Sequence, residues 1–281
     1  MYDYKITEKP LISPRDKASH KGTFGTALLV CGSYGMAGAA VLAAGAALKS
    51  GIGKLKLAVH KSIYGICAVA LPEAVFIPFG RSFKKAVLKH LDDAKSILFG
   101  CGVGANTRAL KRLKLIIKKA KCPIVIDADG INLLSRNIDI LKQAKTPIIL
   151  TPHPKEMSRL CGKGVDEING SRIRSAADFA AKHGVYIVLK GNETVIAAPD
   201  GRISINPTGN AGMATGGSGD VLGGIMAALL AYNSDIFSTV CAAVYIHGAA
   251  GDSAAAKLSQ TAMLPSDIIK ELPCVFKTLE G

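Results

Sequence analysis

The stretch Thr26-Ala-Leu-Leu-Val-Cys-Gly-Ser-Tyr-Gly-Met-Ala-Gly-Ala-Ala-Val-Leu-Ala-Ala-Gly-Ala-Ala-Leu-Lys-Ser50 decides the fold. It opens with a short apolar run, Thr26–Cys31, which suits a strand buried on both faces. A glycine-rich turn follows, and Gly38–Ser50 then reads as a helix. The same order recurs along the chain. Further strand-like runs are Leu55–Val59, Ile97–Phe99, Ile124–Asp127, Ile148–Leu150 and Tyr186–Leu189, and helical patterns cover Phe83–Asp93, Thr107–Ala120 and Glu167–His183. Repeated β-then-α order predicts an α/β fold with a mostly parallel central sheet and helices on both faces. Thr194–Ala198 and Arg202–Ile205 read as a hairpin across Asp200-Gly201, and long helices are expected over Ser218–Ala231 and Asp235–Ala256. No linker or repeat divides the chain, so residues 1–281 are expected to form a single domain.

Composition narrows the function. Of 281 residues, 49% are apolar and 20% charged, which excludes a disordered chain. No apolar run reaches the roughly 18 residues of a membrane span. The N-terminus MYDYKITEKP lacks the apolar core of a secretory signal. Seven scattered cysteines without a CxxC pair point to free thiols in a reducing cytoplasm. A net charge of +14 favours anionic partners. Aromatic residues are only 5% and dispersed, which argues against nucleic acid and for small anionic ligands. The densest basic stretch, from Lys111 to Lys121, also carries Leu110, Leu113, Ile117 and Ala120 at helical spacing, so it reads as one solvated helix face.

Three glycine-rich segments follow strands or open helices, where ligands of open α/β sheets bind. They are Gly32–Gly38, Gly100–Ala105 and Gly209-Asn-Ala-Gly-Met-Ala-Thr-Gly-Gly-Ser-Gly-Asp220. No GxxxxGK[ST] exists, which disfavours a P-loop NTPase. Gly100–Ala105 matches GxGxxA, either a dinucleotide-binding turn or a tight turn for close packing. In the third segment the amides of Gly217, Ser218 and Gly219 form a candidate anion hole at a helix start. Asp220 lies in the first helical turn, where the dipole is expected to keep its carboxylate ionised and weakly basic. An anion hole beside a carboxylate is what phosphoryl transfer to a hydroxyl requires. The bland alternative for Asp220 is a helix-terminus charge. His153, between Pro152 and Pro154 at a strand end, reads as a site residue or a structural histidine. Lys190-Gly-Asn-Glu-Thr194 reads as a phosphate-neutralising turn or an ordinary one.

Six segments appear in order: Ser19-His-Lys-Gly-Thr-Phe-Gly25, Gly32–Ala39, Asp127-Ala-Asp-Gly-Ile-Asn132, Thr151-Pro-His-Pro-Lys-Glu156, Lys190–Thr194 and Asn210–Asp220. Together they resemble the NAD(P)H-hydrate dehydratase family of the ribokinase-like superfamily, over roughly residues 10–275. The resemblance implies a ribokinase-like fold and a nucleotide-repair lyase. Such an enzyme dehydrates the S epimer of NADHX or NADPHX at the expense of ADP or ATP, releasing AMP or ADP and phosphate, with Mg²⁺ as metal. It further implies that Ala39, Ala40, Gly104, His153 and Asp220 face the hydrated dinucleotide. Lys190, Gly191, Asn192, Glu193, Thr194 and Gly219 are then expected to hold the donor, with Asp220 catalytic and the metal ligands unassigned. A homotetramer in the cytoplasm is expected, with no membrane or nucleic-acid partner. The chain begins almost directly at these motifs, so no N-terminal epimerase domain is expected. A small-molecule alcohol kinase of the same superfamily is the alternative.

Overall fold

The computed structural model describes residues 2–280. Ten strands form one sheet: β1 (Lys5–Ile6), β2 (Thr26–Val30), β3 (Lys54–His60), β4 (Val75–Phe79), β5 (Ser96–Phe99), β6 (Ile124–Ile126), β7 (Ile148–Leu150), β8 (Tyr186–Leu189), β9 (Val195–Ala197) and β10 (Ile203–Ile205). Their order is β1-β10-β9-β8-β7-β6-β5-β2-β3-β4. All pairings are parallel except β8–β9 and β9–β10, which agrees with the expected mostly parallel sheet.

Side-chain alternation along each strand splits the core in two. Ala27, Leu29, Leu98, Val125, Ile149 and Val188 face one layer of helices. That layer holds α1 (Ala37–Lys49), α9 (Ser218–Leu230), α10 (Ile236–Leu258) and α11 (Pro265–Leu279). Leu28, Val30, Ile97, Phe99, Ile126 and Leu150 face the other. Across that face lie α3 (Phe83–Val87), α4 (Thr107–Lys119), α5 (Asp129–Ser135), α6 (Pro154–Cys161), α7 (Val165–Gly170) and α8 (Arg172–His183). The remaining helix, α2 (Tyr64–Ala70), precedes β4.

Two expected helices are interrupted. Glu167–His183 breaks between α7 and α8, where Ser171 leaves the helical conformation at φ −144°, ψ 44°. Phe83–Asp93 shortens to α3 followed by a 3-10 turn at Leu88–His90. The expected amphipathic helix is α4, capped by Asn106, whose side chain accepts from Arg108 N and Ala109 N. Its buried residues are Ala109, Leu113, Ile116 and Ile117.

The chain runs from β2 outward to β3 and β4, then returns to the other side of β2 as β5. The turns after β2 and β5 therefore diverge and open a crevice at their carboxyl ends. Gly32 N donates to Cys101 O at 2.7 Å and Ser33 Oγ to Gly102 O at 2.8 Å, tying the two turns together.

Candidate active site

Three neighbouring strands end in polar residues at the same level. Asp127 follows β6, Thr151 follows β7 and Lys190 follows β8. Asp127 Oδ1 accepts from Lys190 Nζ at 2.6 Å and from Thr151 Oγ1 at 2.7 Å. Asp127 and Thr151 are buried. Burial alone lowers the Lys190 pKa, but the carboxylates of Asp127 and Glu156 outweigh it and hold the ammonium above its ordinary value. Lys190 N also donates to Pro152 O at 2.8 Å, which fixes where the 190–194 turn begins.

The start of α9 faces this pair. Gly217, in the left-handed region at φ +103°, is its N-cap, and Asp220 lies in the first turn. A Cβ on Gly219 would stand 3.2 Å from Lys190 Nζ and 3.4 Å from Asp127 Oδ2, so glycine keeps a hollow open over the ion pair. Ser218 departs from the expectation: its amide is turned back to Thr215 O at 3.3 Å. Its hydroxyl lies 3.3 Å from Nε2 of buried His247, whose pKa burial pushes down to about 4. Among the described residues, the amides of Gly217 and Gly219 have no protein acceptor. Asp252, on α10, accepts from Gly209 N and Asn210 Nδ2 at 2.9 Å each and anchors the segment leading into this turn.

Asp220 is not the readily ionised carboxylate that the helix dipole suggested. Burial pushes its pKa up to about 6. The charges of Asp127 and Asp129 act in the same direction, against a hydrogen bond with Cys101 and the charge of Lys190. Desolvation exceeds the dipole's contribution here. Ligand atoms of Cys101, Asp127 and Asp220 lie within 4.8 Å of one another. A hydrogen bond with Cys31 and burial hold the Cys101 thiol well above its usual range, so it is protonated.

The other expected site residues follow the carboxyl ends of β2, β5, β7 and β8. Gly104, at φ +79°, donates its amide to Asp129 Oδ2 at 2.8 Å. Ala39 is nearly buried against Gly102, where a Cβ would lie 2.9 Å from its own. Ala40 is fully buried behind Gly32, so its side chain has no open face. Gly100 approaches Asp127 O so closely that a Cβ would stand 1.9 Å away, which realises the close-packing reading of GxGxxA. His153 caps α6: Nδ1 accepts from Lys155 N at 3.1 Å and Glu156 N at 3.3 Å, while Glu156 Oε2 accepts from His153 N at 2.9 Å. Burial and the Lys190 charge lower its pKa, so the ring is neutral and its Nε2 carries the proton. Thr194 Oγ1 donates to Gly191 O at 3.0 Å and closes the 190–194 turn, whose Asn192 and Glu193 are exposed. Sequence reasoning gave no site role to Asp129, Cys101, Glu156 or Arg172, and took Asp127 only as the strand-end acid beside the GxGxxA turn. Its available signal was a polar residue directly after an apolar strand, repeated at Asp127, Thr151 and Lys190.

This sheet order and site define a ribokinase-like α/β protein. A profile of the family described as NAD(P)H-hydrate dehydratase matches residues 27–274. The chain belongs to that family. It is 39% identical over 267 residues to the ADP-dependent (S)-NAD(P)H-hydrate dehydratase of Bacillus subtilis, covering 95% of this chain and 94% of that one. A crystal structure of the Bacillus subtilis ADP/ATP-dependent NAD(P)H-hydrate dehydratase, co-crystallised with ATP/Mg²⁺, matches with a TM-score of 0.84 at 36% identity, covering 96% and 95% of the two chains. The bifunctional NAD(P)H-hydrate repair enzyme of Moorella thermoacetica is 40% identical over 276 residues, 95% of this chain and 52% of that protein. The chain thus spans about half the length of the bifunctional relatives it matches. The family resemblance and the ribokinase-like fold are both borne out.

Proposed function

We propose that this protein dehydrates the S epimer of NADHX or NADPHX to NADH or NADPH, with ADP or ATP as phosphoryl donor. The relatives' names favour this reading over the alcohol kinase. The observation that carries it is the largely buried Asp220, its carboxyl within 4.8 Å of Asp127 and pushed up to about 6, beside the acceptor-free amide of Gly219.

In this mechanism the donor lies on the 190–194 turn, and its transferring phosphate meets the amides of Gly217 and Gly219. Those dipoles, together with Lys190, stabilise the charge that develops during transfer. The hydrate lies in the crevice between the turns after β2 and β5, bordered by Ala39, Gly104 and His153. Ala40 lies behind this wall and acts through its backbone. Asp220 orients the acceptor hydroxyl and takes its proton. At neutral pH a carboxyl with a pKa near 6 is ionised yet basic enough to do so. Departure of the phosphate with a neighbouring C–H proton restores the ring double bond. Mg²⁺ arriving with the donor would find an oxygen ligand in Asp127, whose Oδ2 faces the hollow at Gly219; the protonated Cys101 thiol is a poor partner for it, and Asp220 stays free as the proton acceptor. When bound with the donor the ion supplies positive charge to the phosphates.

The test is incubation with chemically prepared NADHX, following reduced-nicotinamide absorbance with ADP, ATP or no nucleotide. Absorbance is expected to grow only when a nucleotide is present. Equal rates without nucleotide contradict the reading.

The chain is further proposed to act as one domain in a cytoplasmic homotetramer. Seven free thiols fit a reducing compartment. Helix α2 carries exposed Tyr64, Ile66 and Val69 and no charged residue, a surface suited to covering by another copy. Light scattering on the eluted protein tests the assembly.

A further inference from the structure

The turn that follows β8 has one side-chain tie of its own, Thr194 Oγ1 to Gly191 O at 3.0 Å, and two residues of unusual backbone conformation before it. Gly191 sits at φ +146°, a conformation open to glycine and reached from many others. Glu193 sits at φ +52°, where side-chain-bearing residues are uncommon. A turn meant to receive phosphates in a fixed arrangement therefore needs a brace.

Arg172, the first residue of α8, supplies one from behind. Its Nη2 donates to Leu189 O at 2.9 Å and its Nη1 reaches Lys190 O at 3.4 Å. The forked Nη edge of the guanidinium points at Gly191, where a Cβ would stand 2.7 Å from Nη1 and 3.0 Å from Nη2. Glycine at 191 thus serves the close approach of Arg172 as well as the turn. Planar, forked donors suit two carbonyls at successive positions, which a single ammonium does not. Arg172 also borders a cavity of about 830 Å³, together with Tyr4, Asn169, Ile173 and Asn192.

We infer that Arg172 is a positioning residue for the donor: it fixes the carbonyls of Leu189 and Lys190, so that the 190–194 turn meets the nucleoside phosphate already formed. The inference rests on the assignment of that turn to the donor. Without the brace, donor binding must order the turn, and the cost falls on donor affinity rather than on the chemical step.

The experiment is a donor titration of NADHX dehydration by the wild type, Arg172→Ala and Arg172→Lys. For Arg172→Ala the donor KM is expected to rise about tenfold, with kcat within about threefold and the hydrate KM unchanged. Arg172→Lys is expected to fall between the two. Methylguanidinium, which can enter through the adjoining cavity, is expected to lower the donor KM of Arg172→Ala, and ethylammonium is not. A wild-type donor KM in Arg172→Ala, or a loss confined to kcat, overturns the inference. Should that variant fail to fold, an unchanged donor KM in Arg172→Lys overturns it equally. A wild type without nucleotide-dependent turnover is a separate result: it overturns the functional reading and the role of Arg172 with it.

Discussion

Lys190 Nζ stands 2.6 Å from Asp127 Oδ1 and so joins the ends of β8 and β6 across the intervening β7. Thr151, from the end of β7, donates to the same oxygen. One carboxylate therefore gathers three parallel strands at the floor of the site. Removing it leaves a largely buried ammonium without its partner. Asp127→Ala is expected to lower stability by about 3–5 kcal/mol, and a following Lys190→Met to restore part of that loss. Urea denaturation of the two single variants and the double variant measures the coupling. Additive losses contradict the pairing.

Asp220 gives a pH dependence with a definite sign. Its folded pKa, near 6, lies above the ordinary aspartate value of 3.8. Turnover is expected to fall as pH drops through about 6, because protonated Asp220 cannot accept the hydroxyl proton. Asp220→Asn is expected to lose that limb and to lower kcat by about 10²–10⁴-fold. The same shift makes ionised Asp220 a cost to folding, absent below the unfolded pKa and fully present above the folded one. Asp220→Asn is accordingly expected to gain stability at pH 8, up to about 3 kcal/mol, and little at pH 4. Thermal melts at the two pH values, together with kcat profiles, check both signs.

Much of this architecture was legible. The apolar runs at Ile124, Ile148 and Tyr186 read as strands because both sheet faces are covered, which leaves few polar interruptions. β4 went unread because Pro78 sits inside it; the sheet tolerates that proline on an edge strand paired only with β3. β1, with two exposed residues, has no periodicity to detect. The position of Asp220 at a helix start was legible, but its ionisation was not. That depends first on burial and then on Cys101, Asp127 and Lys190, which arrive from three distant strand ends. His153 shows the same limit: its flanking prolines marked a special site, while the cap it forms appears only in three dimensions.

His153 separates a cap from a ligand contact. His153→Ala removes the side-chain acceptor of α6 and is expected to cost about 1 kcal/mol. His153→Asn keeps a capping oxygen, so its melting temperature is expected to stay near wild type while the KM for the hydrate rises. An Asn variant with wild-type stability and wild-type KM makes His153 a cap alone.

Helix packing sets the spacing of the two glycine-rich turns. A Cβ on Gly224 of α9 would lie 2.0 Å from Ala43 O of α1, so an alanine there forces the two helices apart. Gly224→Ala is expected to destabilise by about 1–3 kcal/mol. Because α9 begins at Gly217–Gly219, the variant is also expected to show a smaller ADP-induced melting shift. Differential scanning fluorimetry with and without ADP measures both.

The central claim is phosphorylation of the hydrate followed by loss of that phosphate, and product stoichiometry tests it most directly. Purified protein is incubated with NADHX, ADP and Mg²⁺, and orthophosphate, AMP and NADH are quantified together with any phosphorylated hydrate. The account predicts equal amounts of orthophosphate, AMP and NADH, with no lasting phosphate ester. Accumulation of a stable phosphorylated hydrate without NADH would contradict it and identify a kinase instead.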